Sequence, residues 1–233
     1  MSVQVGAHYL EKEQGGAGVL LGGVPGVSAA RVVVLGGGVA GTNAARVAIG
    51  FEASVVIIDR SLPRLKELDL QFGANAQTLF ATVENIEREV VAADLVIGAV
   101  LVPGGAAPKL VTRDMLKRMR PGSVLVDISI DQGGCAETSR PTSHAQPTYV
   151  EEGVVHYCVT NMPGAVARTS TLALNNATLP FALELADKGW RRALLENPHL
   201  LHGLNTARGK IAHQAVARDL ALAYRPAAEL VEA

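Results

Sequence analysis

The run Arg31-Val32-Val33-Val34-Leu35-Gly36-Gly37-Gly38-Val39-Ala40-Gly41 decides the fold. Four consecutive apolar residues, three of them β-branched, are the pattern of a short strand buried on both faces of a parallel sheet. A glycine cluster follows directly, then VAGTNAARVAIG (39–50), which reads as a helix. Gly36, Gly38 and Gly41 take the three glycine places of G-x-G-x-x-G. The first permits a tight turn, the second lets the backbone approach a pyrophosphate, and the third lets helix and strand pack closely. An anion then sits over the helix N-terminus, where free N–H groups and the helix dipole favour negative charge. The hexad alone is a weak signal, because glycine-rich turns are common.

Working outward, the alternation continues. SVVIID (54–59) reads as a strand, 61–71 as a helix, 76–80 as a weak strand and 83–91 as a helix. DLVIGA (94–99) is another strand, TRDMLKRM (112–119) a helix ended by Pro121-Gly122, and SVLVDI (123–128) a further strand. Strands alternating with helices of this length predict an α/β fold, a Rossmann doubly wound parallel sheet with flanking helices. Before it, 2–14 reads as a short helix and 18–30 as a glycine-rich loop. After it, Pro141, His144 and Pro147 mark a surface loop, and VVHYCVT (154–160) is the expected last strand. The spacing predicts helix over 169–195, broken or kinked at Pro180, and a final amphipathic helix over 206–224. The organisation expected is a leading helix and loop (1–30), a dinucleotide-binding domain (31–168) and C-terminal helices (169–233) of a second, incomplete domain.

Composition agrees and narrows the function. Apolar residues make up 48% of the 233 positions and charged residues 18%, enough to bury a core. Twenty-four glycines with only 4% aromatics suit a core of Val, Ile, Leu and Ala around tight turns. A net charge of −1, with no basic block, argues against nucleic acid as a partner. Residues 1–16 lack the apolar core of a signal peptide, and no run of 18 apolar residues spans a membrane, so a cytoplasmic location is expected. Cys135 and Cys158 match no zinc spacing and read as reduced, buried thiols. None of the six histidines has metal-ligand spacing or a catalytic context, and no metal is expected.

Asp59 strengthens the glycine motif. It closes the next strand, where a carboxylate accepts hydrogen bonds from the adenosine ribose. The same carboxylate would repel a 2′-phosphate. Arg60 beside it is the kind of residue that meets that phosphate in NADP enzymes, but with Asp59 present NAD is the expected cofactor.

Beyond these motifs, long strings of the chain resemble the alanine dehydrogenases. They are GVLLGGVPGV, LGGGVAGTNAAR, ADLVIGAVLVPGGAAPKLV, PGSVLVDISIDQGGCAETSRPT, YCVTNMPGAVARTSTLALNNATLP and LELADKGWR. The related transhydrogenase alpha subunits share several of these. They carry QNGG where this chain has Asp131-Gln132-Gly133-Gly134 and D-L-P where it has Asn161-Met162-Pro163, and they carry an insertion after the third strand that is absent here.

The resemblance implies reversible conversion of L-alanine, NAD and water to pyruvate, ammonium and NADH. It implies a cofactor site formed by Gly36, Gly38, Val39, Ala40, Gly41 and Asp59, with Arg64 near the adenosine ribose. Val100 and Leu101 then lie beside the nicotinamide half, with Ile128, Ser129, Ile130, Asp131, Arg140, Val159, Thr160, Asn161 and Met162 completing the shell. Ala81 departs from a serine that the resemblance places near the adenine. Asp131 is the expected proton-handling residue, more so if partial burial raises its pKa, with Asn161 hydrogen-bonding cofactor or substrate. A turn or cap role for Asp131 before Gly133-Gly134 is the competing reading.

The same family implies a homo-oligomer, a hexamer, and a front domain that supplies an arginine, a lysine and a histidine to the substrate. No motif of that domain occurs here. The chain therefore reads as a partial alanine dehydrogenase, inactive alone. The alternatives are one subunit of a split enzyme whose partner is a separate N-terminal half, a non-catalytic NAD(H)-binding module, or a transhydrogenase-like subunit.

Overall fold

The computed structural model describes residues 1–101 and 107–232. It forms two compact units, the first ending at Met162 and the second running from Pro163.

The first unit opens with α1 (Ser2–Tyr9), followed by a short 3-10 turn and loop. The sheet begins with β1 (Arg31–Leu35), then α2 (Val39–Gly50), β2 (Ser54–Asp59), α3 (Leu62–Phe72), β3 (Ala76–Phe80), α4 (Val83–Ala92) and β4 (Leu95–Gly98). After these come α5 (Arg113–Arg118), β5 (Val124–Asp127), β6 (Thr148–Glu151) and β7 (Val154–Tyr157). The strand order is β3-β2-β1-β4-β5-β7-β6. All neighbours are parallel except β6, which pairs antiparallel with β7 at the edge. The doubly wound α/β sheet expected from the strand–helix alternation is the one observed.

Alternate residues of each strand feed opposite layers. Val32, Val34, Val55, Ile57, Leu95 and Ile97 face one way, with Ala44, Ala45 and Ala48 of α2 and Val3 of α1 against them. Val33, Leu35, Val56, Ile58 and Val96 face the other way, against Ile86 and Val90 of α4 and Met115 and Leu116 of α5. Burial on both sides explains why these strands read as unbroken apolar runs. Helices α3, α4 and α5 start on side-chain caps: Ser61 accepts from the Arg64 amide, Thr82 from Asn85 and Thr112 from Met115.

Three details differ from the sequence reading. Residues 141–147 are not followed by loop alone: Thr148–Glu151 form β6, a short, partly exposed edge strand with little apolar signal. The strand expected over 154–160 stops at Tyr157. The helical segment from 169 does not break at Pro180: in the second unit α6 (Ala167–Lys188) runs through it and ends at Gly189, which has a positive φ of 72°. Pro180 removes the amide donor for the carbonyl of Asn176, a loss that an exposed stretch of helix tolerates because its main chain is open to solvent.

The second unit continues with α7 (Trp190–Glu196) and α8 (Pro198–His202), then β8 (Thr206–Ala207) and β9 (Lys210–Ile211). It ends with α9 (Gln214–Asp219) and α10 (Ala227–Glu232). The single helix expected over 206–224 is therefore wrong. Arg208 and Gly209, both at positive φ, make a two-residue hairpin turn there, and only Gln214–Asp219 is helical. Both cysteines are free and buried. Among the described residues no helix is long and apolar enough to cross a membrane.

Candidate functional site

The order β2-β1-β4-β5-β7 brings the carboxyl ends of five strands side by side, and the chain reverses its winding between β1 and β4. Open parallel sheets bind ligands at such a switch point. Every site residue expected from the sequence, apart from Arg64 on α3 and Arg140, lies in or directly after one of these strands. The stretch 102–106 of the ADLVIGAVLVPGGAAPKLV string lies outside the described residues.

The glycine turn is built as its residue types require. Gly36 sits at φ 100°, and a Cβ there would come within 2.7 Å of the Ala99 carbonyl oxygen. A Cβ on Gly41 would overlap the Gly36 carbonyl oxygen at 1.8 Å, so only glycine lets α2 lie this close to the turn. Gly38 is different: a Cβ there meets nothing within 4 Å. Its side of the backbone faces open space over the N-terminus of α2, which no side chain caps. The first-turn amides of α2 are thus left for an outside acceptor.

Asp59 is tied into the same turn. One carboxylate oxygen accepts the Gly37 amide at 2.7 Å and the other accepts the Ser61 amide at 2.8 Å. Arg64 donates from Nε to the Gly37 carbonyl at 2.7 Å and from Nη2 to Thr42 Oγ1 at 2.7 Å. Thr42 in turn donates to the carbonyl of Gly38 or Gly37. Arg64 therefore braces the turn, and its third partner is Glu67 at 2.5 Å. Arg60 is exposed.

On the other side of the switch point, Ser129 Oγ donates to the Val100 carbonyl at 2.8 Å, joining the loops after β4 and β5. Ile130, Val159 and Met162 are buried beneath, while Val39, Ala40, Leu101, Asp131, Arg140, Thr160 and Asn161 are exposed along the edge. Asp131 is exposed, not partly buried. Asn161 holds a positive φ of 56°, a conformation asparagine tolerates better than most residues, and its carbonyl lies 3.1 Å from His144 Nε2. Arg140 lies flat on the Tyr149 ring, 3.9 Å from its centroid, and its amide donates to the Tyr149 hydroxyl. Tyr149 stacks on buried His156, whose ring meets Thr138 at 2.8 Å and the Val154 carbonyl at 2.9 Å. Burial holds His156 below the ordinary histidine pKa.

Sequence reasoning missed Asp127, the fully buried organiser of this edge. It accepts the Ser129 amide at 3.0 Å, the Cys135 amide at 2.8 Å and the Ser139 hydroxyl at 2.5 Å. Burial pushes the Cys135 thiol well up, and the Asp127 carboxylate adds to that. An acid closing an apolar strand just before a Gly-Gly turn was the available signal.

The family model "Alanine dehydrogenase/PNT, C-terminal domain" matches residues 2–214. The chain belongs to the alanine dehydrogenase/PNT family. It is 62% identical over 231 residues to an alanine dehydrogenase of Halomonas elongata, covering 99% of this chain and 62% of that relative. A solved structure of an L-alanine dehydrogenase superposes with a TM-score of 0.88 at 53% identity, over 94% of this chain and 61% of the other. A transhydrogenase from Sinorhizobium meliloti gives a TM-score of 0.67 at 27% identity, over 90% of this chain and 59% of the other. Within the alanine dehydrogenase/PNT family, the likeness is greater to the alanine dehydrogenases. The chain spans less than two thirds of their length.

Proposed function

We propose that this chain is the NAD-binding part of an alanine dehydrogenase, which interconverts L-alanine, NAD and water with pyruvate, ammonium, NADH and a proton. The observation that carries the reading is the pairing of an open, uncapped α2 N-terminus at Gly38 with Asp59, fixed in the adjoining turn. The cradle fits a dinucleotide: α2 amides for the pyrophosphate and Asp59 for the adenosine ribose, with Val100, Leu101, Ile128–Asp131 and Val159–Met162 around the nicotinamide half. Arg140, held on Tyr149, completes that shell.

NAD supplies the hydride acceptor. Asp131 is suited by its exposed carboxylate to take and return the proton of alanine oxidation, and Asn161 to hydrogen-bond cofactor or substrate. The relatives extend well beyond the matched length, and we place the groups that hold the alanine carboxylate in that remainder. Self-association into a homo-oligomer, a hexamer, is part of the same proposal.

The test has two arms. Calorimetry with NAD on the purified chain is expected to show saturable binding, and absence of binding refutes the site. Alanine-dependent NADH formation is expected to be strong only when a polypeptide covering the remainder of the relatives is added. Full activity of the chain by itself would show that it carries its own substrate anchors.

A further inference from the structure

Five successive carbonyls, from Gln132 to Ala136, are all engaged by one short segment, residues 107–111. The Ala107 amide donates to Gln132 at 2.9 Å, and the Leu110 and Val111 amides both donate to Cys135, at 2.7 and 3.1 Å. The three remaining carbonyls converge on a single side chain. Lys109 Nζ lies 2.5 Å from the Gly133 oxygen, 2.9 Å from Gly134 and 3.0 Å from Ala136.

Three acceptors use all three N–H donors of an ammonium. They also gather around a point, which suits a compact ammonium and not the flat fork of an arginine. Gly133 and Gly134 both hold positive φ, at 88° and 78°, and a Cβ on Gly134 would strike Ser139 and Asp127. The backbone is thus folded into a tight turn whose carbonyls would repel one another without a cation between them. The Gly133 amide closes back on the Ile130 carbonyl at 2.9 Å, and the Gly134 amide on Ser129 at 3.0 Å. These bonds tie the turn to the residues ahead of it and span Asp131.

We infer that Lys109 is a positioning residue, its ammonium fixing the turn that sets Asp131 and its neighbours against the nicotinamide end of the cofactor. The inference rests on the proposed NAD site. It adds a division of labour: the glycine turn and Asp59 hold the adenosine half without Lys109, and the nicotinamide half depends on it.

ADP-ribose separates the two halves, because it carries the adenosine, pyrophosphate and second ribose but no nicotinamide. Calorimetry on Lys109→Met should show NAD affinity lowered by about tenfold or more, the scale of lost charge-assisted hydrogen bonds, with ADP-ribose within about twofold of wild type. Unchanged ADP-ribose binding also proves that the variant is folded. Should Lys109→Met not fold, Lys109→Arg keeps charge and stem but spreads its donors over a plane, and should show the same selective loss at smaller size. Equal weakening of both ligands, or of neither, overturns the inference. A wild-type chain that binds neither ligand would overturn the NAD reading and this inference with it. A wild-type chain that binds both while the variant shows no selective loss overturns the inference alone.

Discussion

The Asp59 carboxylate accepts the Gly37 amide at 2.7 Å, so the acid proposed to meet the adenosine ribose also holds the glycine turn in shape. Its second oxygen is engaged by the Ser61 amide. A substitution at Asp59 therefore acts twice, on the ligand contact and on the geometry of the glycine turn. Asp59→Ala is expected to weaken NAD by roughly 1–3 kcal/mol, the range for a charged hydrogen-bond partner lost from a partly buried site. The same change should not make the chain an NADP protein, because it loosens the turn that both dinucleotides need. Titration of wild type and variant with both dinucleotides checks this. Equal wild-type affinity for NAD and NADP would remove the role given to Asp59.

Gly38 and Gly41 lie three residues apart and should fail in opposite ways. Gly38→Val places its side chain in space that holds no protein atom within 4 Å of the Cβ, so thermal stability should stay close to wild type while NAD binding is lost. Gly41→Ala drives a Cβ onto the Gly36 carbonyl oxygen, forcing α2 away from the turn. Overpacking of this kind costs about 1–3 kcal/mol, and a lowered melting temperature should accompany weaker binding. A Gly38→Val chain that binds NAD normally would mean that the turn is purely structural.

Much of this was legible in the sequence because the parallel strands are buried on both faces. Val32 to Leu35 and Val55 to Ile58 read as strands from four consecutive apolar residues each, and the turn between β1 and α2 announced itself by glycine spacing. The misread parts lack that coupling of pattern to burial. β6 is an edge strand whose side chains are only partly covered, so Tyr149 and Glu151 show no apolar alternation. The hairpin after Asn205 was hidden by apolar residues on either side, although Arg208-Gly209 is the kind of pair that turns a hairpin. The organising roles of Asp127 and Lys109 were harder to read for another reason: both bind mostly main-chain groups, which leave no trace in residue spacing, and only the acid at a strand end before Gly133-Gly134 hinted at Asp127.

Acid should destabilise the chain in two windows. Buried His156 has a folded pKa below the ordinary 6.5, so below that pH the unfolded chain takes a proton that the folded chain resists. Its contribution is complete above pH 6.5 and declines as pH falls through the depressed folded value. Burial alone would raise the Glu89 carboxyl, but hydrogen bonds from Arg31 and Arg88 outweigh it and hold the group below the ordinary 4.5. That contribution is complete above pH 4.5 and is lost on further acidification. Glu89→Gln is expected to cost about 1–3 kcal/mol at neutral pH, with the cost shrinking toward acid. Urea unfolding at pH 7, 5.5 and 4 resolves the two windows, and a Glu89→Gln penalty that stays constant across them would show that the Arg31 pair contributes nothing electrostatic.

The last prediction concerns α6, which spans 22 residues and buries none of its side chains. Leu172, Leu174, Leu179, Phe181 and Leu183 are each between 39% and 65% exposed. Scattered exposed leucines are ordinary, but these all fall within one helix, with Leu172, Leu179 and Leu183 along one face and Leu174 and Phe181 along the opposite one, so α6 presents apolar side chains to water on two sides. The ion pairs of this region sit at the far end: Lys188 meets Glu184 and Glu196, each at 2.8 Å, and Arg192 meets Glu196 at 2.6 Å. Together Lys188 and Arg192 hold the Glu196 carboxyl down to about 2, so the network stays charged at neutral pH and keeps that end solvated. The apolar stretch before it has no such protection. The chain is therefore expected to self-associate at micromolar concentration, and Leu174→Glu with Leu183→Glu should reduce that association while leaving NAD affinity unchanged, since the proposed site lies in the first unit. Light scattering with NAD titration of the same samples tests both halves of the statement. A monodisperse wild-type monomer would mean that α6 tolerates water, and a double variant that still associates would place the contact elsewhere on the chain.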